Sequence, residues 1–193
     1  MDLIEQMEEY ARIHNVPIMQ AEGLDFLLTY IRDHEVCNIL EIGSAIGYSA
    51  IRMAQVNERI HVESIERDEV RYALAQANLK AAGLEERITF HLADALEWEG
   101  SGSYDFIFID AAKAQYTKFF EKYKKLLKPN GTILSDNLGF HGLVESNEEI
   151  QSRNLRRLVR KIREYRTFLE TNTEFETTFY ELGDGIGVSH RKN

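Results

Sequence analysis

Apolar positions along this chain fall into two spacings that alternate. Leu3, Ile4, Met7, Tyr10, Ala11 and Ile13 recur at helical spacing. Asn15-Val16-Pro17 ends that run, because Asn suits turns and Pro17 disfavours helix at Val16. A second helical run, about residues 20–34, carries Leu24, Leu27, Leu28 and Ile31. Ile39-Leu40-Glu41-Ile42 is a short apolar run of the buried, parallel-strand type. The chain breaks at Gly43-Ser44-Ala45-Ile46-Gly47 and resumes a helical pattern over 48–54. Residues 59–65 alternate as a second strand, followed by a helix that Asp68 caps and Gly83 closes. Residues 88–92, 104–109 and 131–135 read as strands three to five. A helix runs to Leu127 before the fifth, and Pro129-Asn130-Gly131 turns the chain into it. Residues 154–169 form an amphipathic helix, and residues 175–182 and 186–190 form a hairpin around Gly183-Asp184-Gly185. The alternation predicts one α/β domain over residues 1–193 with a mostly parallel sheet and helices on both faces.

The strand, glycine turn and helix at residues 38–54 open a nucleotide-binding βαβ unit. The dinucleotide pattern G-x-G-x-x-G is absent; the glycines here, Gly43 and Gly47, stand four apart. Glu41 just before the turn would repel a phosphate but could attract a sulfonium or ammonium group, which suits S-adenosylmethionine. The competing reading is that Glu41 only ties down the turn. Glu66 closes the second strand roughly 20 residues on, where nucleotide folds bond the ribose hydroxyls. Asp94, with Ala95 beside it, follows the third strand and either accepts from an adenine amino group or caps a helix.

Strands four and five end in Asp110 and in Asp136-Asn137. Two carboxylates and an amide suit a hard divalent cation such as magnesium, and do not suit zinc. Lys113, three residues past Asp110, reaches the same mouth and could act as a general base beside a dication.

These pieces resemble the cation-dependent class I O-methyltransferases of the catechol and caffeoyl-CoA type. The resemblance rests on Glu41-Ile42-Gly43 with Gly47-Tyr48-Ser49, on Glu66, on Asp110-Ala111-Ala112-Lys113 and on Asp136-Asn137. It implies a Rossmann-like, seven-stranded sheet with an antiparallel last strand. It implies S-adenosylmethionine held by Met19, Glu41, Gly43, Ser49, Glu66, Asp94, Ala95 and Asp110. It further implies magnesium or a similar cation on Asp110, Asp136 and Asn137, with Lys113 and Asp110 at the chemistry. Within the family, Asn15-Val16-Pro17-Ile18-Met19 and the Asp136-Asn137 context look most like the bacterial enzymes that methylate 5-hydroxyuridine in tRNA. A small catechol-like or caffeoyl-CoA-like phenol is the alternative acceptor. One departure is that relatives often begin with a further N-terminal helix. The helices within residues 1–36 either cover the site, serve in a homodimer or cap the sheet.

Charge changes the picture at one place. The chain carries 23 Lys and Arg against 32 Asp and Glu, a net charge of −9, which argues against a surface basic all over. Yet Arg153, Arg156, Arg157, Arg160, Lys161 and Arg163 crowd the polar face of the 154–169 helix, with Arg166 on its apolar side. That face is either solvated surface or a track for tRNA phosphates. Cys37 is the only cysteine, which excludes an internal disulfide and a cysteine-cluster metal site and fits a cytoplasmic protein. No apolar run approaches membrane-spanning length.

Overall fold

The computed structural model of the chain describes residues 2–139, 142–144 and 151–192. The elements run α1 (Leu3–His14), α2 (Ala21–Asp33), β1 (Asn38–Ile42), α3 (Tyr48–Ala54), β2 (His61–Glu66), α4 (Glu69–Ala82) and β3 (Ile88–Leu92). They continue with β4 (Tyr104–Ile109), α5 (Tyr116–Tyr123), β5 (Leu127–Ser135), α6 (Arg153–Glu170), β6 (Phe175–Tyr180) and β7 (Ile186–Arg191). Local chemistry sets the helix ends. Asp2 and Glu5 form a reciprocal capping box on α1, each bond 2.9 Å, and Asn15 closes the helix in the left-handed region. Asp68 caps α4 by accepting from the Arg71 amide at 2.9 Å, and Gly83 ends it at φ 64°.

The seven strands make one sheet in the order β3-β2-β1-β4-β5-β7-β6. β1 to β5 pair in parallel, while β7 is antiparallel to both β5 and β6. The chain therefore steps outward from β1 to β3, then returns to β4 on the other side of β1. A crevice opens at the carboxyl ends of β1 and β4, where the two connections leave in opposite directions.

Alternate residues of the central strands feed two cores. Ile39, Phe106, Phe108 and Leu134 pack with α1 to α4 on one face. Leu40, Ile42, Ile107, Ile109 and Ile133 pack with α5 and α6 on the other.

Several boundaries differ from the sequence expectation, among them the end of α5 at Tyr123 rather than Leu127. The second strand begins at His61 and includes Glu66. Pro129-Asn130-Gly131 does not turn the chain ahead of a strand but lies within β5. Tyr104 pairs with Leu127 and Phe106 with Thr132, so two steps on β4 face five on β5 and three residues bulge out. Pro129 lacks an amide for the ladder and is tolerated where the ladder is interrupted.

Candidate active site

Gly43 follows β1 at φ 104°, and a Cβ there would lie 2.1 Å from the Asp110 carbonyl oxygen. Glycine alone lets the end of β1 meet the end of β4 so closely. A Cβ on Gly47, φ 82°, would come 2.8 Å from the Phe90 ring and 3.3 Å from Ala75. Its smallness therefore serves packing of α3 on β3 and α4.

A cavity of about 590 Å³ opens at this crevice. Met19, Gly43, Ser49, Glu66, Asp94, Ala95, Asp110, Lys113, Asp136 and Asn137 all line it. The connection between α1 and α2 forms part of the wall through Pro17, Ile18, Met19 and Gln20. That connection is tethered on both sides. Tyr48 donates to Glu8 of α1 at 2.5 Å, and the Gly183 amide donates to Glu22 of α2 at 3.0 Å.

Glu41 does not line the cavity. It is fully buried one layer beneath, accepting from the hydroxyls of Ser49 and Ser64. Burial pushes its carboxyl up to about 7; the two serine hydroxyls oppose the rise, and the charges of Asp110 and Glu66 add to it. Glu41 thus ties α3 to β1 and β2, and it reaches the cavity through Ser49.

Glu66 is 8% exposed at the end of β2. One oxygen accepts from the Ala45 amide and the other from the Arg67 and Asp68 amides, each at 2.9 Å. Three backbone donors fix the carboxylate at the cavity wall and leave it acceptor capacity for a ligand hydroxyl. Asp94 does cap a turn, accepting from the Leu96 amide at 2.8 Å, and it lines the cavity as well. The Ala95 carbonyl accepts from the Tyr123 hydroxyl at 2.6 Å.

The other side of the cavity is set by the pairing of β4 with β5. Ile109 lies opposite Ser135, so the next residues, Asp110 and Asp136, leave the sheet side by side. The Asn137 side-chain nitrogen donates to Asp110 at 2.9 Å and to Asp136 at 3.0 Å. Asn137 holds this position from the left-handed region, φ 66°, which Asn tolerates better than most residues. Asp136 is buried; Asp110 keeps partial exposure as a residue, although its carboxylate is closely surrounded by protein atoms. Burial raises both, Asp136 to about 8, and their mutual repulsion adds to the rise for Asp136. Lys113 opposes these shifts, while Asp184 reinforces them.

Asp184 is the site residue that sequence reading missed. It reads as the middle of a Gly-Asp-Gly hairpin turn. The antiparallel β7, lying against β5, carries that turn back to the carboxyl ends of β4 and β5. The turn is clamped there by Leu138 donating to Gly185 at 2.9 Å and Gly139 donating to Asp184 at 2.6 Å, both backbone bonds.

Gln115 lines the same wall, and the fully buried Tyr116 follows it in the chain. Gln115 Oε1 and the Tyr116 hydroxyl are buried with no hydrogen-bond partner among the described residues. Burial drives the Tyr116 hydroxyl well above its ordinary pKa, and the charges of Asp110 and Asp136 push the same way. The cluster suits a divalent cation: two carboxylates and an amide converge, and a single polar N–H group bridges both carboxylates where a cation would relieve their repulsion.

Among the predicted tRNA contacts, Arg153, Arg156, Arg157 and Arg160 are exposed on α6. α6 packs against the Lys113–Gln115 turn, and these arginines stand on its exposed side. Arg160 lies 3.5 Å and Lys161 2.6 Å from Glu164. Arg163 donates to the Val144 carbonyl at 2.8 Å, and Arg166 lies over the Phe179 ring, 5.0 Å from its centre. No helix among the described residues is long and apolar enough to cross a membrane.

A sheet of this order, with its crevice lined by carboxylates at the ends of β2, β3, β4 and β5, has the class I methyltransferase architecture. The chain belongs to the O-methyltransferase family, whose model matches residues 2–192. It is 30% identical to tapetum-specific methyltransferase 1 of Arabidopsis thaliana, over 96% of this chain and 82% of the relative. It is 30% identical to a catechol O-methyltransferase of Niastella koreensis, over 78% and 68%. Among solved structures it superposes on a Staphylococcus aureus protein provisionally described as a caffeoyl-CoA O-methyltransferase. That match has a TM-score of 0.94 and 39% identity, covering 100% of this chain and 93% of the other. A Bacillus cereus O-methyltransferase in complex with SAH matches at TM-score 0.83 and 28% identity, covering 100% and 92%.

Proposed function

We propose that this enzyme transfers the methyl group of S-adenosylmethionine to the 5-hydroxyl of 5-hydroxyuridine in tRNA, with a divalent cation held by Asp110, Asp136 and Asn137. The donor lies along the β1–β3 side, with its ribose hydroxyls on Glu66 and its adenine amino group on Asp94. The S-adenosylhomocysteine in the Bacillus cereus relative supports that donor. The C–O bond forms as the C–S bond breaks, the thioether leaves, and the hydroxyl proton passes to Lys113 as general base. A cation of this type supplies Lewis acidity: it lowers the pKa of a hydroxyl that has a second oxygen beside it. 5-Hydroxyuridine offers the 5-hydroxyl beside its 4-carbonyl. Asp110, Asp136 and Asn137 fix where those oxygens must sit relative to the donor methyl, and that alignment is a large part of the rate.

Catechols present a similar oxygen pair, and the Niastella koreensis relative is described as acting on catechol. The observation that carries the tRNA reading is the exposed arginine face of α6, a helix that packs against the Lys113 turn, on a chain of net charge −9. Replacing Arg156, Arg157 and Arg160 by Gln keeps a helix-forming sequence and removes three phosphate contacts. The triple variant should lose activity on unmodified tRNA mainly through a raised KM. The salt dependence of its affinity should flatten by about one unit of slope per lost contact. Methylation of a small chelating phenol, assayed in parallel, should be unaffected. Equal tRNA activity in parent and variant across a salt series would transfer the assignment to small phenols.

A further inference from the structure

Glu66, Asp94, Asp110 and Asp136 are assigned above to the donor and the cation, and Asp184 lines the same cavity without a role. Its place is built from two sides. On one, the Leu138 amide donates to the Gly185 carbonyl at 2.9 Å and the Gly139 amide to the Asp184 carbonyl at 2.6 Å. The turn is thus bonded to the two residues that follow Asn137. A Cβ on Gly185 would lie 2.5 Å from the Gly139 nitrogen, so only glycine permits this approach. On the other side the turn rests on the start of α2. The Gly183 amide donates to Glu22 at 3.0 Å, and a Cβ on Gly183 would touch Gly23 and Gln20. Main-chain contacts therefore seat Asp184 between the proposed cation ligands and the α1–α2 wall. It stands back from Asp110 and Asp136: among the described residues no three side chains of His, Cys, Asp or Glu converge closely enough to hold an ion.

Strand order gives this placement a direction. The donor lies on the β1–β3 side, Asp110 and Asp136 follow β4 and β5, and the Asp184 turn leads into β7, next along the sheet. An acceptor with one oxygen toward the donor methyl and a second on the cation site extends onward to Asp184. The edge of 5-hydroxyuridine runs in the same order: 5-hydroxyl, 4-carbonyl, then N3–H. We propose that Asp184 is a specificity-determining residue for the acceptor, its carboxylate accepting the N3–H of the uracil ring whose 5-hydroxyl and 4-carbonyl face the cation site. An N–H between two carbonyls is a polarised donor, and its bond to a carboxylate is of the stronger, charge-assisted kind. A carboxylate accepts at about four positions, so partners within the chain leave room for it. A catechol has a C–H at that place and would leave the carboxylate facing carbon. The proposal rests on the 5-hydroxyuridine reading above and adds a contact to the base edge, which phosphate contacts from α6 cannot provide.

The test compares two stem-loop RNAs, one carrying 5-hydroxyuridine and one carrying its 3-methyl derivative, which keeps both chelating oxygens and loses the N3–H. The parent should prefer the first by about 10–100-fold in kcat/KM, the size of a hydrogen bond to a charged group. Asp184→Ala should lose most of that preference. Asp184→Asn keeps the size of the side chain and removes its charge, so its preference should be intermediate. Manganese affinity, read by electron paramagnetic resonance, should stay within about threefold of the parent in both variants, since losing a metal ligand or its support costs more. Equal use of the two RNAs by the parent overturns the proposal and leaves the tRNA reading standing; this comparison needs no variant to fold. Parental preference retained in Asp184→Ala overturns it as well. So does parental preference in Asp184→Asn alongside its loss in Asp184→Ala, which would make the discrimination one of size. A tenfold or greater fall in manganese affinity would make Asp184 part of the cation site instead. A parent inactive on the 5-hydroxyuridine RNA but active on a catechol overturns the tRNA reading itself, and this proposal with it.

Discussion

On the side of the cavity where β1, β2 and β3 end, the lining carboxylates already have their hydrogen bonds. Glu66 accepts from three backbone amides and Asp94 from one. Across the cavity, where β4 and β5 end, Asp110 and Asp136 share one side-chain amide and repel each other and Asp184. The first side is organised before any ligand arrives. The second carries crowded negative charge that Lys113 only partly opposes. Backbone amides at strand ends come with the fold, so a neutral or cationic nucleoside can be received by rigid main chain. Compressed carboxylates cost stability, and they persist where function needs them.

Asp136→Asn should break this contrast most strongly. Losing one charged oxygen donor should lower turnover by about 10³-fold, consistent with several kcal/mol of transition-state stabilisation from a bound cation. The same substitution should raise the thermal midpoint of the metal-free protein, because it removes a buried repulsion. A steady-state assay and thermal denaturation in chelator check the two halves; a variant both inactive and destabilised would count against the contrast.

Next in size is Glu66→Ala. It removes the acceptor for ligand hydroxyls and strands three amides, so donor affinity should fall by roughly 1.5–3 kcal/mol per lost charged bond. Stability should fall with it, and metal affinity should not change. Calorimetry with the methyl donor, with and without magnesium, separates these effects.

The pH dependence of the metal-free chain is a third measure. Asp136 rises from 3.8 to about 8 and Glu41 from 4.5 to about 7 on folding. Across that window the folded chain holds protons that the unfolded chain has released, so stability is greatest on the acid side and declines as pH rises toward 8. Magnesium should restore stability mostly at the alkaline end. Denaturation midpoints at pH 5 and pH 8, with and without the ion, test this, and equal midpoints in chelator would contradict it.

The smallest effect belongs to Asp94→Asn. An oxygen remains for the Leu96 amide, so the turn survives, and donor affinity should drop by no more than about 1 kcal/mol. A larger loss would show that this carboxylate carries more of the donor than its cap geometry suggests.

Much of this was legible in the sequence because strand ends are. Periodicity placed β1, β4 and β5, and open α/β sheets hold ligands at those carboxyl ends. That brought Gly43, Glu66, Asp110, Asp136 and Asn137 to one cavity without coordinates. Other features escaped for physical reasons. Asp184 is far from Asp110 along the chain, and only the pairing of β7 with β5 brings its turn back. The depth of Glu41 depends on Ser64, a β2 residue that no local pattern links to it. The bulge at Pro129 is a property of register between two strands, whereas turn chemistry read along one strand gives a turn. The orphaned hydroxyl of Tyr116 is visible only once its neighbours have been counted.

The position of β7 also bears on how the molecule is assembled. β7 lies inside the sheet, between β5 and β6, and among the described residues β6 has no strand neighbour but β7. β6 therefore cannot join until β7 has been synthesised and has inserted, a non-local pairing of the slow kind. The first five strands can associate as a parallel set on their own, but the Gly183–Gly185 turn reaches Leu138 and Gly139 only after that insertion. A nascent chain stalled before Ile186 would carry most of the nucleotide crevice while lacking the clamp over Asp136 and Asn137. The clamp beside Asp136 and Asn137 thus depends on a strand that lies far from them along the chain.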